Sequence, residues 1–169
     1  MVSITWAATS GGAAITPPLV WANIANGASA EDELFITHDG VEKITDCGFY
    51  IQAYTGGYTG TFAAATDYTE IIGWGDDNAA EGFLINQDLL GSWAAGYTTH
   101  KTGQGTAAVP ITLDADSITD GATLSDGEVE GSGVGSQKSN IKVKIAVPGS
   151  EDAAGTRQFD QCISYTYTS

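Results

Sequence analysis

Basic side chains are scarce in this sequence. Six Lys and Arg stand against 21 Asp and Glu in 169 residues, a formal net charge of −15 at pH 7. Binding to nucleic acid or to an anionic membrane needs clustered cations against phosphate, so neither is expected as a partner, and protein or neutral surfaces are. Long apolar runs are missing as well. No stretch approaches the ~20 residues that cross a bilayer as a helix. The opening Met1-Val-Ser-Ile-Thr-Trp6 has neither the basic region nor the apolar core of an export signal. The expectation is a protein that stays soluble where it is made.

Thiols and imidazoles are equally few. Cys47 shares strand parity with Phe49 and Ile51, whereas Cys162 shares it with Asp160 and Ser164, so regular strands point the two thiols into different environments and no disulfide is expected. His38 and His100 stand alone and read as surface or strand-end residues. Zinc wants three or four ligands placed together, and no short-range Cys or His pair supplies them. Gly-x-Ser-x-Gly, His-Glu-x-x-His and a Gly-rich loop ending in Lys-Ser or Lys-Thr are all absent. The expectation is therefore no cofactor, no metal and no enzyme. The acidic run Asp114-Ala-Asp116-Ser-Ile-Thr-Asp120-Gly121 invites a calcium reading, but an EF-hand loop would need glycine where Thr119 stands, and a solvated acidic surface fits better.

What the chain does have is 22 glycines with many Thr, Ser, Ala and Asn residues, a mixture that works against long helices and favours short strands with many turns. The length suits one core. We expect a single all-β domain over residues 1–169, an antiparallel sandwich, with residues 1–24 as an extended N-terminal arm or an edge strand. Pro17-Pro18 imposes the extended path there.

The clearest period-2 pattern lies at residues 138–167. Ile141, Val143, Ile145 and Val147 alternate with Lys142, Lys144 and Ala146, Pro148 stops the ladder, and Phe159, Ile163, Tyr165 and Tyr167 resume it on one face. The two runs read as a hairpin. Residues 31–38 and 44–54 read as a second hairpin, with Leu34 and Ile36 on one face of its first strand and Cys47, Phe49, Ile51 and Ala53 on one face of its second. Residues 55–67 read as an excursion and 68–74 as a strand. Residues 88–93 read as one helical turn. From 96 to 135 the chain is polar and glycine-rich, with an edge strand or bulge at 107–113 around Pro110 and short strands near 117–124.

Aromatic residues are the leading candidates for contact. Trp6, Trp21, Trp74 and Trp93, with seven tyrosines, have the chemistry of sugar platforms or interface anchors. Trp74, after Ile71-Ile72, fits the core. Tyr54, Tyr58 and Tyr97 lie in glycine-rich surroundings and read as surface, and Trp6 and Trp21 belong to the N-terminal arm. Lys138, Lys142 and Lys144 share one strand face, where pairing with acids on neighbouring strands is expected ahead of docking an acidic partner.

Two segments carry a family likeness. Residues 33–40 with 44–54, and residues 141–148 with the Ala154-Gly155-Thr156-Arg157-Gln158-Phe159 return, resemble Ig-like β-sandwich domains of the small structural proteins of tailed bacteriophage virions. They cover about a fifth of the chain. The resemblance implies an antiparallel β-sandwich, Ig-like or jelly-roll-like, with long loop insertions at 55–67 and 96–135. It also implies a virion component without catalytic activity, first a capsid cement or decoration protein that binds the outer capsid surface and stabilises capsomer junctions. Its partners would be the major capsid protein, another virion protein or further copies of itself. The alternatives are a tail or baseplate component, or, from a different class, a carbohydrate-binding module in which Tyr54, Tyr58 or Tyr97 stacks on glycan. Fold does not decide among these.

Overall fold

The structure, a computed structural model, describes residues 4–7, 19–21, 23–38, 43–89, 92–94, 96–113, 119–120 and 140–168. Ten strands and one helix are found among them, in the order β1 (Ile4–Ala7), β2 (Ser29–His38), β3 (Lys43–Ala53), α1 (Ala64–Asp77), β4 (Gly82–Leu89), β5 (Ser92–Trp93), β6 (Thr98–Thr99), β7 (Ile111–Thr112), β8 (Thr119–Asp120), β9 (Asn140–Ala146) and β10 (Phe159–Thr168). One sheet runs β1-β2-β9-β4-β5, with β6 also beside β4 and β8 beside β2; the other runs β10-β3-β7. Among the described residues only the short β2–β8 pair is parallel. The larger sheet turns Leu34, Ile36, Phe83, Ile85, Ile141, Val143 and Ile145 towards Cys47, Phe49, Ile51 and Ile111 of the smaller, and all belong to one buried cluster. The fold is an all-β antiparallel sandwich, as its alternating strands imply.

Both expected hairpins are overturned. β9 pairs with β2 and β4, β10 pairs with β3, and the runs before and after Pro148 therefore lie in opposite sheets. β2 and β3 are divided in the same way. The alternation was right in each strand, but alternation names a buried face without naming the neighbour. Outward-facing side chains on β9 match those of its neighbours. In the β2–β9 register Glu31 stands opposite Lys144 and Glu33 opposite Lys142. Lys142 Nζ reaches Glu31 Oε1 at 3.9 Å, while Lys142 and Lys144 also sit over the rings of Trp93 and Tyr97, at 4.4 and 4.0 Å from their centroids. The expected pairing of these lysines with neighbouring acids is present at Lys142. Lys138 lies outside the described residues.

Residues 68–74, expected as a strand, belong to α1. Tyr68, Ile71, Ile72 and Gly75 follow an i, i+3, i+4, i+7 spacing that places one stripe inward, and the helix packs against β3, β4 and β10. The β-rich composition of Thr69, Ile71, Ile72 and Trp74 masked that stripe. Neither end is well capped: Ala63 offers no side-chain bond and the last turn holds Asp76 and Asp77 without a base. Burial of Ile71, Ile72 and Trp74 must offset both defects. Residues 88–93, expected as a helical turn, instead carry the antiparallel β4–β5 pair, with Asp88 opposite Trp93 and Leu89 opposite Ser92. The edge-strand expectation for 107–113 is met by two residues of β7, and 4–7 by β1 on the outer edge of β2. Of the acidic stretch 114–121 only Thr119 and Asp120, in β8, are described. No helix among the described residues is long and apolar enough to cross a membrane, and the two cysteines are free thiols.

His100 sits at a strand end, directly after β6, but it is fully buried and the surface alternative is overturned. Its ring lies edge-on to Phe49 and Phe83, with centroids 5.4 and 5.0 Å away. Nδ1 donates to the Phe83 carbonyl at 3.0 Å, and the His100 amide donates to the same oxygen at 2.9 Å. Gly105, at φ +88°, passes close over the ring, where a Cβ would stand 2.5 Å from Cδ2. The surrounding sequence is polar and glycine-rich, so nothing local marked this imidazole as core.

Two predictions follow from these contacts. A Cβ at Gly75 would meet the His100 carbonyl at 2.2 Å, whereas one at Gly73 meets nothing within 4 Å. Urea unfolding should therefore show Gly75→Ala destabilised by about 1–3 kcal/mol or more, and Gly73→Ala stabilised by up to about 1 kcal/mol. Burial also drives the His100 pKa down to about 3, against the opposing pull of its bond to Phe83. An unfolded histidine takes up its proton near pH ~6.5, so stability should fall as pH drops from there towards 3, by roughly 1.4 kcal/mol per pH unit from this group. In His100→Phe that component of the slope should vanish, which comparison of urea midpoints at several pH values will read.

Candidate functional site

A groove of about 370 Å³ opens where β1, the 19–21 segment and the start of β10 meet. Trp6, Leu19, Val20, Trp21, Tyr54 and Phe159 supply its apolar lining, while Gln158, Asp160 and Gln161 supply the polar part. The apolar side is an outgrowth of the core. Trp6 stands edge-on to Phe49 at 6.0 Å, and Trp21 lies stacked over Phe159 at 6.5 Å and edge-on to Phe83 at 6.1 Å. Leu34 closes the floor.

The polar side is placed by the crossing from β9 to β10. This strap leaves the larger sheet beside residues 27–28, where the Gly27 amide donates to the Val147 carbonyl and the Val147 amide to the Ala28 carbonyl, at 3.0 Å each. It then meets the 55–62 loop, with the Thr61 amide donating to the Thr156 carbonyl at 2.8 Å and the Thr156 amide to Thr61 Oγ1 at 2.8 Å. Asp67, on the first turn of α1 and fully buried, accepts from the Gln158 amide at 2.8 Å and from the Tyr58 hydroxyl. Arg157 donates to Glu70 and pairs with Glu151 at 3.3 Å, and its guanidinium lies 5.1 Å from the ring centres of both Phe62 and Trp74. One helix, one loop and one ion-pair cluster thus hold the groove wall still.

The charged groups at the groove are already engaged. Arg157 is neutralised by two carboxylates, and Asp160 Oδ2 accepts from the Thr55 amide and hydroxyl at 3.0 and 2.7 Å. Trp21 Nε1 and Gln161 Oε1, by contrast, are shielded from solvent with no hydrogen-bond partner among the described residues. The described residues hold no group of three or more His, Cys, Asp or Glu placed to grip a metal ion.

Of the five aromatic candidates, the structure brings three together: Trp6, Trp21 and Tyr54. Tyr58 is part of the strap's anchorage; burial and the Asp67 carboxylate raise its hydroxyl pKa. Tyr97 belongs to the outer face of the larger sheet, where it donates to Glu31 and lies under Lys144, and burial followed by that carboxylate pushes its pKa well up. Gln158, Phe159, Asp160 and Gln161 were not anticipated. Their parity in β10 was legible, but their meeting with the N-terminal aromatics depends on β10 leaving the sheet of β9. A shallower recess of about 260 Å³ lies between Tyr68, Ile72 and Asp76 of α1 and Thr102 and Thr106, with Asp76 held by the Thr102 amide and hydroxyl at 2.8 and 2.6 Å. Those bonds lower the Asp76 pKa.

Compared with known proteins, the chain matches no protein family, no curated protein and no solved structure.

The strap's dependence on Asp67 is testable. Asp67→Ala removes the shared acceptor of two half-buried donors and should cost roughly 1–3 kcal/mol in urea unfolding. Amide hydrogen exchange at Gln158 and Thr156 should accelerate by more than that of the β9 amides, since the strap loosens before the sheet does.

Proposed function

We propose that this chain is a virion structural protein, a cement or decoration domain that binds the outer surface of a capsid and holds capsomer junctions by adhesion. The observation that carries the reading is β10. It is an edge strand of the smaller sheet among the described residues, ten residues long, with Asp160 as its single charged side chain. Edges of that length are ordinarily blunted by lysine, proline or a covering element, because their amides and carbonyls invite another strand. In a particle such an edge is an attachment device: a strand from a capsid protein or from a further copy extends the sheet, and main-chain bonds supply affinity without any reaction.

Two further features support the reading. The segments that resemble phage structural sandwiches hold part of β2, nearly all of β3 and β9, and the strap as far as Phe159, the first residue of β10. The net charge of −15 suits an outward-facing surface and opposes indiscriminate self-association. Apolar area closed at each junction would contribute ~25 cal/mol per Å² before the cost of ordering the partners.

Electron cryomicroscopy of the particle whose genome encodes the chain is the test. Density for the sandwich at capsomer junctions is the expected result; density in the tail would move the proposal to a tail or baseplate component, and absence from the particle would end it. Thr166→Lys adds a charge at an exposed position of the edge strand. It should leave the fold intact and reduce occupancy on particles lacking the native protein by about tenfold, equivalent to roughly 1.4 kcal/mol of association energy.

A further inference from the structure

We infer that the groove between the 19–21 segment and the start of β10 is a binding site for a neutral glycan, a short oligosaccharide whose ring face packs on the Trp21–Tyr54 side and whose hydroxyls engage Trp21 Nε1 and Gln161 Oε1. The inference does not rest on the virion reading.

Chemistry narrows the ligand step by step. The groove lining is mixed, with aromatic and aliphatic side chains beside amide and carboxylate groups, and at about 370 Å³ it falls within the range of small-molecule sites. An anion finds no free cation, because Arg157 is already paired with Glu70 and Glu151 and its side chain is only 12% exposed. A cation finds Asp160 occupied by Thr55. The two wall atoms without partners are a donor, the indole N–H, and an acceptor, the Gln161 amide oxygen. An anion satisfies only the first and a cation only the second. Hydroxyl groups satisfy both, and a sugar ring adds an apolar C–H face that suits the aromatic side. A peptide strand also offers both groups, but it would be read by a backbone edge, whereas the vacant positions here are side-chain atoms.

Shielded polar atoms without partners are costly and uncommon in native structures. Trp21 Nε1 comes from the 19–21 segment and Gln161 Oε1 from β10, so an occupant lodged between the two would relieve both. Both are covered in the empty groove, so entry requires the 19–21 segment to shift. That segment is in no strand ladder, and Val20 is 70% exposed, which makes it the movable side.

The test uses the full chain and a panel of neutral hexose and N-acetylhexosamine oligosaccharides, read by tryptophan fluorescence and calorimetry, with chemical-shift mapping on the unsubstituted protein. Saturable binding at roughly millimolar or lower concentration is expected, with shifts confined to residues 19–21, 54 and 156–161. Trp21→Phe, which keeps a ring and removes the N–H, and Gln161→Leu should each weaken binding about tenfold. Tyr97→Phe, on the far face of the larger sheet, should change nothing. No saturable response to any panel member overturns the inference. So do shifts centred outside the groove, undiminished binding in both groove variants that circular dichroism shows to be folded, or binding of choline or an apolar peptide there in place of sugar. Because the shift map needs no substitution, a variant that fails to fold does not blunt the test.

Discussion

Contact between the two sheets is made largely by rings gathered about Phe83. From β4 of the larger sheet it meets Phe49 of β3 at 6.2 Å and Phe159 of β10 at 5.1 Å, both in the smaller sheet, with His100 and Trp21 at 5.0 and 6.1 Å around its rim. Edge-to-face and offset geometries of this kind contribute beyond the area they bury. A sheet of three strands, one of them two residues long, has little stability by itself. Docked on this ring cluster, it becomes the second wall of a core. Polar exceptions are tolerated there for stated reasons: His100 is held neutral by burial, with one nitrogen bonded to the Phe83 carbonyl.

The groove is a consequence of the same cluster. Trp21 and Trp6 extend the ring contacts past the sheet edge, so an apolar surface emerges beside the strap that brings β10 across. Asp67, Tyr58, Glu70, Glu151 and Arg157 do not line the aromatic side; they hold the strap against α1 and the 55–62 loop. With rigidity on one wall and a ladder-free segment on the other, a ligand would enter from the 19–21 side by loosening Trp21 from Phe83 and Phe159, while the strand ladders stay paired. The edge of β10 and the groove at its start are different surfaces, so adhesion and glycan recognition can coexist on one domain.

The outer face of the larger sheet works differently. Glu31, Lys142, Lys144, Trp93 and Tyr97 satisfy one another through ion-pair and cation–π contacts. Leu84, also on that side by its register with Lys144, is nearly fully covered. The aromatic side chains most exposed by sequence logic are therefore partly spent on internal contacts, and Tyr97 is an example of a glycine-flanked tyrosine that secures a sheet face.

The strand pattern of the chain was decided locally. Period-2 alternation in β2, β3, β9 and β10 marked which residues are buried, because successive side chains of any extended segment point to opposite faces whatever lies beside it. The same parity separated the two thiols, and the glycine content favoured a β-rich fold. Which strands pair was not local. Glu31 and Glu33 stand opposite Lys144 and Lys142 across more than a hundred residues of sequence, and α1 forms where burial of Ile71, Ile72 and Trp74 outweighs their preference for strands. The groove stands furthest from the sequence, since Trp21 and Gln161 meet only because β9 and β10 part company across the core. Alternation is a property of a backbone and its own side chains; pairing, helix rescue and the site are properties of side chains that become neighbours when the chain closes on itself.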